Sequence, residues 1–243
     1  MDISLHYQAY GQGRPLVLLH GNGGDSGYFS QLIPAFARHH RVIAVDTRGH
    51  GGSPRGQAPF SIRQFAQDLK AFLDQHGLAQ VDLLGFSDGG NIALTFALQY
   101  PASLRRLVLN GANLNPAGLE PWFRLPVALG YRGAALLAGK SAWARGKEEL
   151  FGLMVHEPTI RPRDLAELSV PTLVIAGTRD IVKPEHTRTI ARSLPNARLV
   201  LLPGDHSIAR KTPKPFYQAV EDFLLAEGET TPSSVDRGKG KVV

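Results

Sequence analysis

The 243-residue sequence predicts an α/β fold, a mostly parallel sheet with helices on both faces. Two observations predict it. Short apolar runs rich in Val, Ile and Leu recur along the chain, and the stretches between them carry the 3.6-residue spacing of amphipathic helices. Such alternation is the pattern of parallel strands covered by helices on both sides. The length suits one large domain with a sizeable core.

Residues 3–10 precede the first buried run, Leu16-Val17-Leu18-Leu19. Val42-Ile43-Ala44-Val45 is the next, followed by Val81-Asp82-Leu83-Leu84 and Leu107-Val108-Leu109. Leu173-Val174-Ile175-Ala176 and Leu199-Val200-Leu201-Leu202 complete the set. Residues 61–75 place Ile62, Phe65, Ala66, Leu69, Phe72 and Leu73 on one helical face, with Ser61 as N-cap. Residues 91–100 read as a second helix, stopped by Pro101. Residues 184–194 and 213–225 read as two more, each opened by a proline.

The rhythm breaks between residues 113 and 169, where helical spacing continues without a strand signal. Both tryptophans, Trp122 and Trp143, lie there with Phe123, Tyr131, Phe151 and Met154. The expected division is a core of residues 1–112 and 170–227, a helical lid at 113–169 and a disordered tail at 228–243, rich in Gly, Ser, Thr and Lys.

Composition narrows the chemistry. Hydrophobic residues make up 43% and charged residues 20%, as in ordinary globular chains. There is no cysteine, which removes disulfides and thiolate chemistry and leaves oxygen or nitrogen as the nucleophile. The net charge of +6 is scattered and no aromatic-rich basic motif accompanies it, so no nucleic-acid partner is expected. The nine histidines lack zinc-type spacing, so no metal is expected, and the pair His39-His40 reads as solvent-facing. No run approaches the roughly 18 apolar residues of a spanning helix. The start Met1-Asp2-Ile3-Ser4-Leu5-His6 lacks a signal-peptide pattern. A cytoplasmic location without a membrane partner is the expectation.

Four segments carry the candidate chemistry. Gly85-Phe86-Ser87-Asp88-Gly89 fits G-x-S-x-G, set between a strand run and a helix. In that setting the serine sits at the apex of a sharp turn, and the glycines allow close backbone approach. A serine hydroxyl needs a base, and His206, in Gly204-Asp205-His206-Ser207, follows the last strand run. His20, His50 and His186 are the competitors. An imidazole needs an orienting carboxylate, and Asp180 directly follows the run ending at Ala176. Asp205 is the alternative, disfavoured by adjacency to His206. Backbone N–H groups of the loop His20-Gly21-Asn22-Gly23-Gly24 can converge on one point, and those of Asn22 and Asp88 are the candidate oxyanion donors. A phosphate cradle is the rival reading of this loop, but no Gly-Lys-Ser/Thr follows.

In this order the segments resemble the α/β-hydrolase superfamily across about residues 3–226. Asp46-Thr47-Arg48-Gly49-His50-Gly51-Gly52-Ser53 resembles its segment after the next strand, read here as a packing turn. The resemblance implies an α/β-hydrolase fold with a Ser87, His206 and Asp180 triad and no cofactor. The elbow and short lid are most similar to the valacyclovir-hydrolase-like (biphenyl-hydrolase-like) branch. There the acidic residue after the serine can recognise a substrate amino group, which would fall on Asp88. The other reading of Asp88 is a cap on the following helix. Relatives often begin with two strands where this chain has only residues 3–10, so about seven strands are expected.

The implied reaction is hydrolysis of a small carboxylic ester. Carbon–carbon or amide hydrolysis on the same scaffold, and a ligand-binding receptor with slow turnover, are the alternatives. Phe86, Trp122, Phe123 and Trp143 either wall the substrate pocket or serve packing.

Overall fold

The computed structural model describes residues 2–226; the expected tail at 228–243 lies outside them. The strands are β1 (Tyr7–Tyr10), β2 (Arg14–Leu19), β3 (His40–Val45), β4 (Val81–Phe86), β5 (Leu104–Asn110), β6 (Thr172–Arg179) and β7 (Ala197–Asp205). The helices are α1 (Ile33–Phe36), α2 (Ile62–Gln75), α3 (Asp88–Gln99), α4 (Pro121–Leu137), α5 (Ala142–His156), α6 (Pro184–Ser193), α7 (Ile208–Lys211) and α8 (Pro213–Leu225).

All seven strands join one sheet in the order β1-β3-β2-β4-β5-β6-β7. Only β1 is antiparallel, with Tyr7 opposite Val45; the other neighbours are parallel. The chain therefore winds outward in one direction from β2 and then, from β4, in the other. Carboxyl ends of strands at such a reversal leave a crevice where ligands bind.

The two-residue period of the strands divides the core between the two faces. Val17, Leu19 and Leu83 pack with α2, α3 and α6 through Phe65, Phe96 and Ile190. Leu16, Leu18 and Leu84 face the other way, against Phe36, Phe216 and Val220 of α1 and α8. Ser61 caps α2 as its sequence predicts, its hydroxyl accepting from Gln64 N at 3.1 Å.

The structure changes two expectations. The second helix begins at Asp88 and not near residue 91, because the chain turns from strand to helix within Ser87 alone. His40 is not in solvent: it opens β3, is buried, and places Nε2 3.1 Å from Glu221 Oε2 of α8. The turn after β3 is built around Arg48, the largest fully buried side chain. Arg48 pairs with Asp68 through two bonds of 2.7 Å and with Asp2 at 2.6 Å.

Candidate active site

β4 delivers Ser87 to the carboxyl edge of the sheet. Its backbone lies at φ 55°, and among the described residues it is the one non-glycine with positive φ. That region is costly for a residue with a Cβ and is held only where surroundings enforce it. Here Ser87 N donates to Asn110 O at 2.8 Å, and Ser87 O accepts from Asn91 N at 3.0 Å. The turn also needs glycine on both sides. A Cβ on Gly85 would strike Gly89 O, and one on Gly89 would strike the carbonyls of Leu19 and His20. The hydroxyl is thereby lifted out of both strand and helix, toward the ends of β6 and β7.

His206 follows β7 directly, and Asp180 follows β6. The imidazole lies between the other two groups. Nε2 is 2.9 Å from Ser87 Oγ, and Nδ1 is 2.6 Å from Asp180 Oδ1. The carboxylate accepts from Nδ1–H, which leaves Nε2 as the acceptor facing the serine hydroxyl. Asp180 is buried and its Oδ1 also accepts from Val182 N at 2.9 Å, so its position is fixed independently of the histidine. Phe86 supports the ring from one side, 4.8 Å from centroid to centroid, and is itself stacked on Tyr28 at 4.2 Å.

The competing groups are engaged elsewhere. Asp205 turns away, bonded to Ser207 N and Lys211 Nζ. His186 Nε2 accepts from Leu114 N at 2.9 Å. His50 Nδ1 lies between Arg48 O at 3.0 Å and Thr47 Oγ1 at 3.1 Å. His20 holds the loop after β2: Nδ1–H donates to Gly21 O at 2.7 Å, and Nε2 accepts from Thr47 N at 3.1 Å. Burial pushes its pKa down to about 4, so the ring stays neutral and keeps both bonds at physiological pH.

Asn22 and Asp88 meet above the elbow. Asp88 is the first residue of α3, so its N–H has no acceptor within that helix. Its carboxylate does not cap the helix backbone. Oδ2 accepts from Asn22 Nδ2 at 2.8 Å and Oδ1 from Asn91 Nδ2 at 3.1 Å. Burial pushes the carboxyl up to about 6 even though both amides pull it down.

The crevice over Ser87 is lined by Phe123, Met154, Leu119, Ile181, Asn113 and Glu157, along with Asp88, Gly111 and His206. Of the four pocket candidates only Phe123 reaches it. Phe86 lies beneath His206, Trp122 is 64% exposed, and Trp143 is 71% exposed beside a separate cleft with Arg55 and Phe60. Sequence reasoning missed Glu157, Asn113, Asn91 and Gly111. Asn91 had a signal, since it stands one helical turn beyond Ser87 and Asp88. Gly111 had one as well, since it follows β5 at once, whereas Asn113 and Glu157 come from irregular segments whose spacing reveals nothing.

A family model described as the alpha/beta hydrolase fold matches residues 14–155, more than half of the chain. The chain belongs to the α/β-hydrolase family. RutD of Pseudomonas savastanoi pv. phaseolicola, provisionally named a carbamate hydrolase, is 32% identical over 243 residues, covering 87% of this chain and 94% of its own. Serine hydrolase BPHL of Mus musculus is 29% identical, over 91% of this chain and 83% of its own, in accord with the resemblance to the biphenyl-hydrolase-like branch. Among solved structures, a hydrolase from Pseudomonas aeruginosa PA01 superposes with a TM-score of 0.77 at 28% identity, covering 92% and 95% of the two chains. Among the described residues this α/β hydrolase has seven strands, and β1 is the sole element there before the strand that leads into the His20–Gly24 loop.

Proposed function

We propose that this hydrolase cleaves a small carboxylic ester through an acyl-enzyme, with Ser87 as nucleophile, His206 as general base and Asp180 as the orienting acid. The observation that carries the reading is the unbroken relay Ser87 Oγ, His206 Nε2 and Nδ1, Asp180 Oδ1, at 2.9 and 2.6 Å. Ser87 Oγ attacks the ester carbonyl carbon while Nε2 takes its proton. Asp180 stabilises the imidazolium that forms. The N–H groups of Asn22 and Asp88 receive the charge developing on the carbonyl oxygen; among the described residues neither donates to another backbone carbonyl. The C–O bond then breaks, and the imidazolium protonates the leaving alcohol. Water, deprotonated by His206, attacks the acyl-serine; the acid leaves and Ser87 regains its proton.

Residues 113–169 act in this proposal as a lid over a core formed by 1–112 and 170–227. Phe123 and Met154, which line the crevice, support that role and a wall for a small apolar acyl or alcohol group. Trp122 and Trp143 have no part in that wall.

The test is turnover of p-nitrophenyl acetate by the protein and by Ser87→Ala. A loss of about 10⁴-fold or more is expected, and full activity in the variant would remove the reading. Parallel assays with amide and carbon–carbon substrates distinguish the ester reading from its two scaffold relatives.

A further inference from the structure

The outward side of α4 is apolar where a surface helix is ordinarily polar. Trp122, Leu125, Leu129 and Leu136 are 64%, 59%, 67% and 82% exposed, at spacings of three, four and seven residues that put them on one helical face. Leu137, 53% exposed, ends the helix, and Trp143, 71% exposed, stands just past the turn into α5. Scattered exposed leucines need no explanation, but a continuous stripe on one helix marks a surface that something covers. The charge around it is mostly positive. Between residues 121 and 147 lie Arg124, Arg132, Lys140, Arg145 and Lys147, with Glu120 and Glu148 just outside and Glu149 paired to Arg55.

We infer that the α4 face docks this hydrolase on an anionic lipid bilayer, lying at the interface and not crossing it. No described helix is long and apolar enough to cross a membrane. Apolar side chains flanked by cations, with tryptophan at the edge, is the pattern that seats a helix at the headgroup boundary. The basic residues favour anionic headgroups, and the attraction weakens with salt. A second copy fits less well, because pairing this face with itself would bring the flanking cations, Arg132 among them, against others of the same sign. Docking here would place Phe123, which neighbours Trp122 on the same helix, between the bilayer and the crevice over Ser87.

The experiment is flotation of the full chain with phosphatidylcholine vesicles, with and without phosphatidylglycerol, at low and high salt. Trp122 and Trp143 are the only tryptophans, so their emission reports on this region alone. Expected are flotation with the anionic vesicles, its decline at high salt, and a blue shift of emission on binding. Leu125→Glu and Leu129→Glu, both at exposed positions, should each weaken binding by roughly tenfold or more, while circular dichroism stays unchanged. No flotation with anionic vesicles would overturn the inference. So would flotation that survives both substitutions without a tryptophan shift, which would assign binding to the basic residues Arg237, Lys239 and Lys241. Self-association in lipid-free solution, abolished by Leu129→Glu, would assign the face to a second copy and equally overturn it.

Discussion

Asn22 and Asp88 are joined through their side chains, Asn22 Nδ2 donating to Asp88 Oδ2 at 2.8 Å. The same Nδ2 donates to Leu150 O of α5, also at 2.8 Å. One amide thus ties the loop after β2 to the elbow and to the helical insertion. The two N–H groups assigned to the oxyanion belong to these two residues, so their separation is set by this bond. Asn22→Ala is expected to lower kcat by about tenfold or more with little change in KM, since the donor remains but its aim is lost. A double-mutant cycle with Asp88→Asn should show losses that are less than additive. Additive losses would mean that the two residues act separately.

Asp88 also makes a stability prediction. Its carboxyl titrates at about 6 in the folded protein against 3.8 as a free side chain, chiefly through burial. Between those values the folded state holds more protons than the unfolded one, so stability falls as pH rises through the window, by about 3 kcal/mol. Asp88→Asn removes this contribution. The stability of the native protein minus that of the variant should therefore decline from about pH 4 to about pH 6 and level off above it. Urea unfolding across that range checks the sign; a difference that rises with pH would refute it. Because both carboxylate oxygens are occupied by Asn22 and Asn91, aminoacyl and simple esters should lose activity equally in this variant.

Asp180→Asn tests the third member of the relay. An amide carries no charge to stabilise the imidazolium, and where its NH₂ takes the place of Oδ1 it faces His206 Nδ1, which then becomes the acceptor with the proton on Nε2, at the cost of the bond from Val182 N. The base is weakened or blocked, and kcat should fall by about 10⁴-fold. Steady-state kinetics with p-nitrophenyl acetate measures it, and near-native turnover would move the role to another carboxylate.

The parts of this molecule that were readable in advance are those in which local pattern and global fold agree. Most of the apolar runs are buried on both faces, which erases polar alternation and leaves Leu16 to Leu19 or Leu173 to Ala176 as plain hydrophobic stretches; the Leu199 to Leu202 run departs from this, because β7 is an edge strand and Leu201 is 36% exposed. Ser87, Asp180 and His206 stood out because each follows such a run at once, and parallel strands bring those ends to one edge. Asn113 and Glu157 lie on segments without periodicity, so their arrival at the crevice depends on tertiary packing alone. His40 misled for a related reason. A histidine reads as polar, and only the position of Glu221, far along the chain, makes its burial tolerable.

Gly111 lies flat against the imidazole. It has φ 63°, and a Cβ there would sit 2.8 Å from His206 Cε1, 2.9 Å from Nδ1 and 3.4 Å from Asp180 Oδ2. Gly111→Ala therefore adds backbone strain and pushes the ring off its line to Ser87. A ring displaced by about 1 Å should cost about 100-fold in kcat, with KM nearly unchanged. Folding would suffer by only about 1–3 kcal/mol, the cost of a strained backbone position. Kinetics and thermal unfolding of the variant separate the two effects. Unaltered kcat would show that the imidazole is not held by this contact.

Arg48 connects the core to the same site. It is fully buried, paired to Asp68 by a two-pronged bond, and its neighbour Thr47 donates its N–H to His20 Nε2, the ring that secures the loop carrying Asn22. Arg48→Met leaves Asp68, itself 2% exposed, with Gln64 Nε2 at 3.0 Å as its remaining partner. Removing one member of a buried pair in this way typically costs about 3–5 kcal/mol, most of it the penalty for the charge left behind. Replacing both charges relieves that penalty, so Arg48→Met with Asp68→Leu should recover a large part of the loss in urea unfolding. Activity follows a different course. The double variant still lacks the bonds that hold the turn after β3, so His20 and the Asn22 loop should remain loosened, and kcat should stay depressed even as stability returns. Recovery of both together would show that the Arg48 cluster serves the core alone.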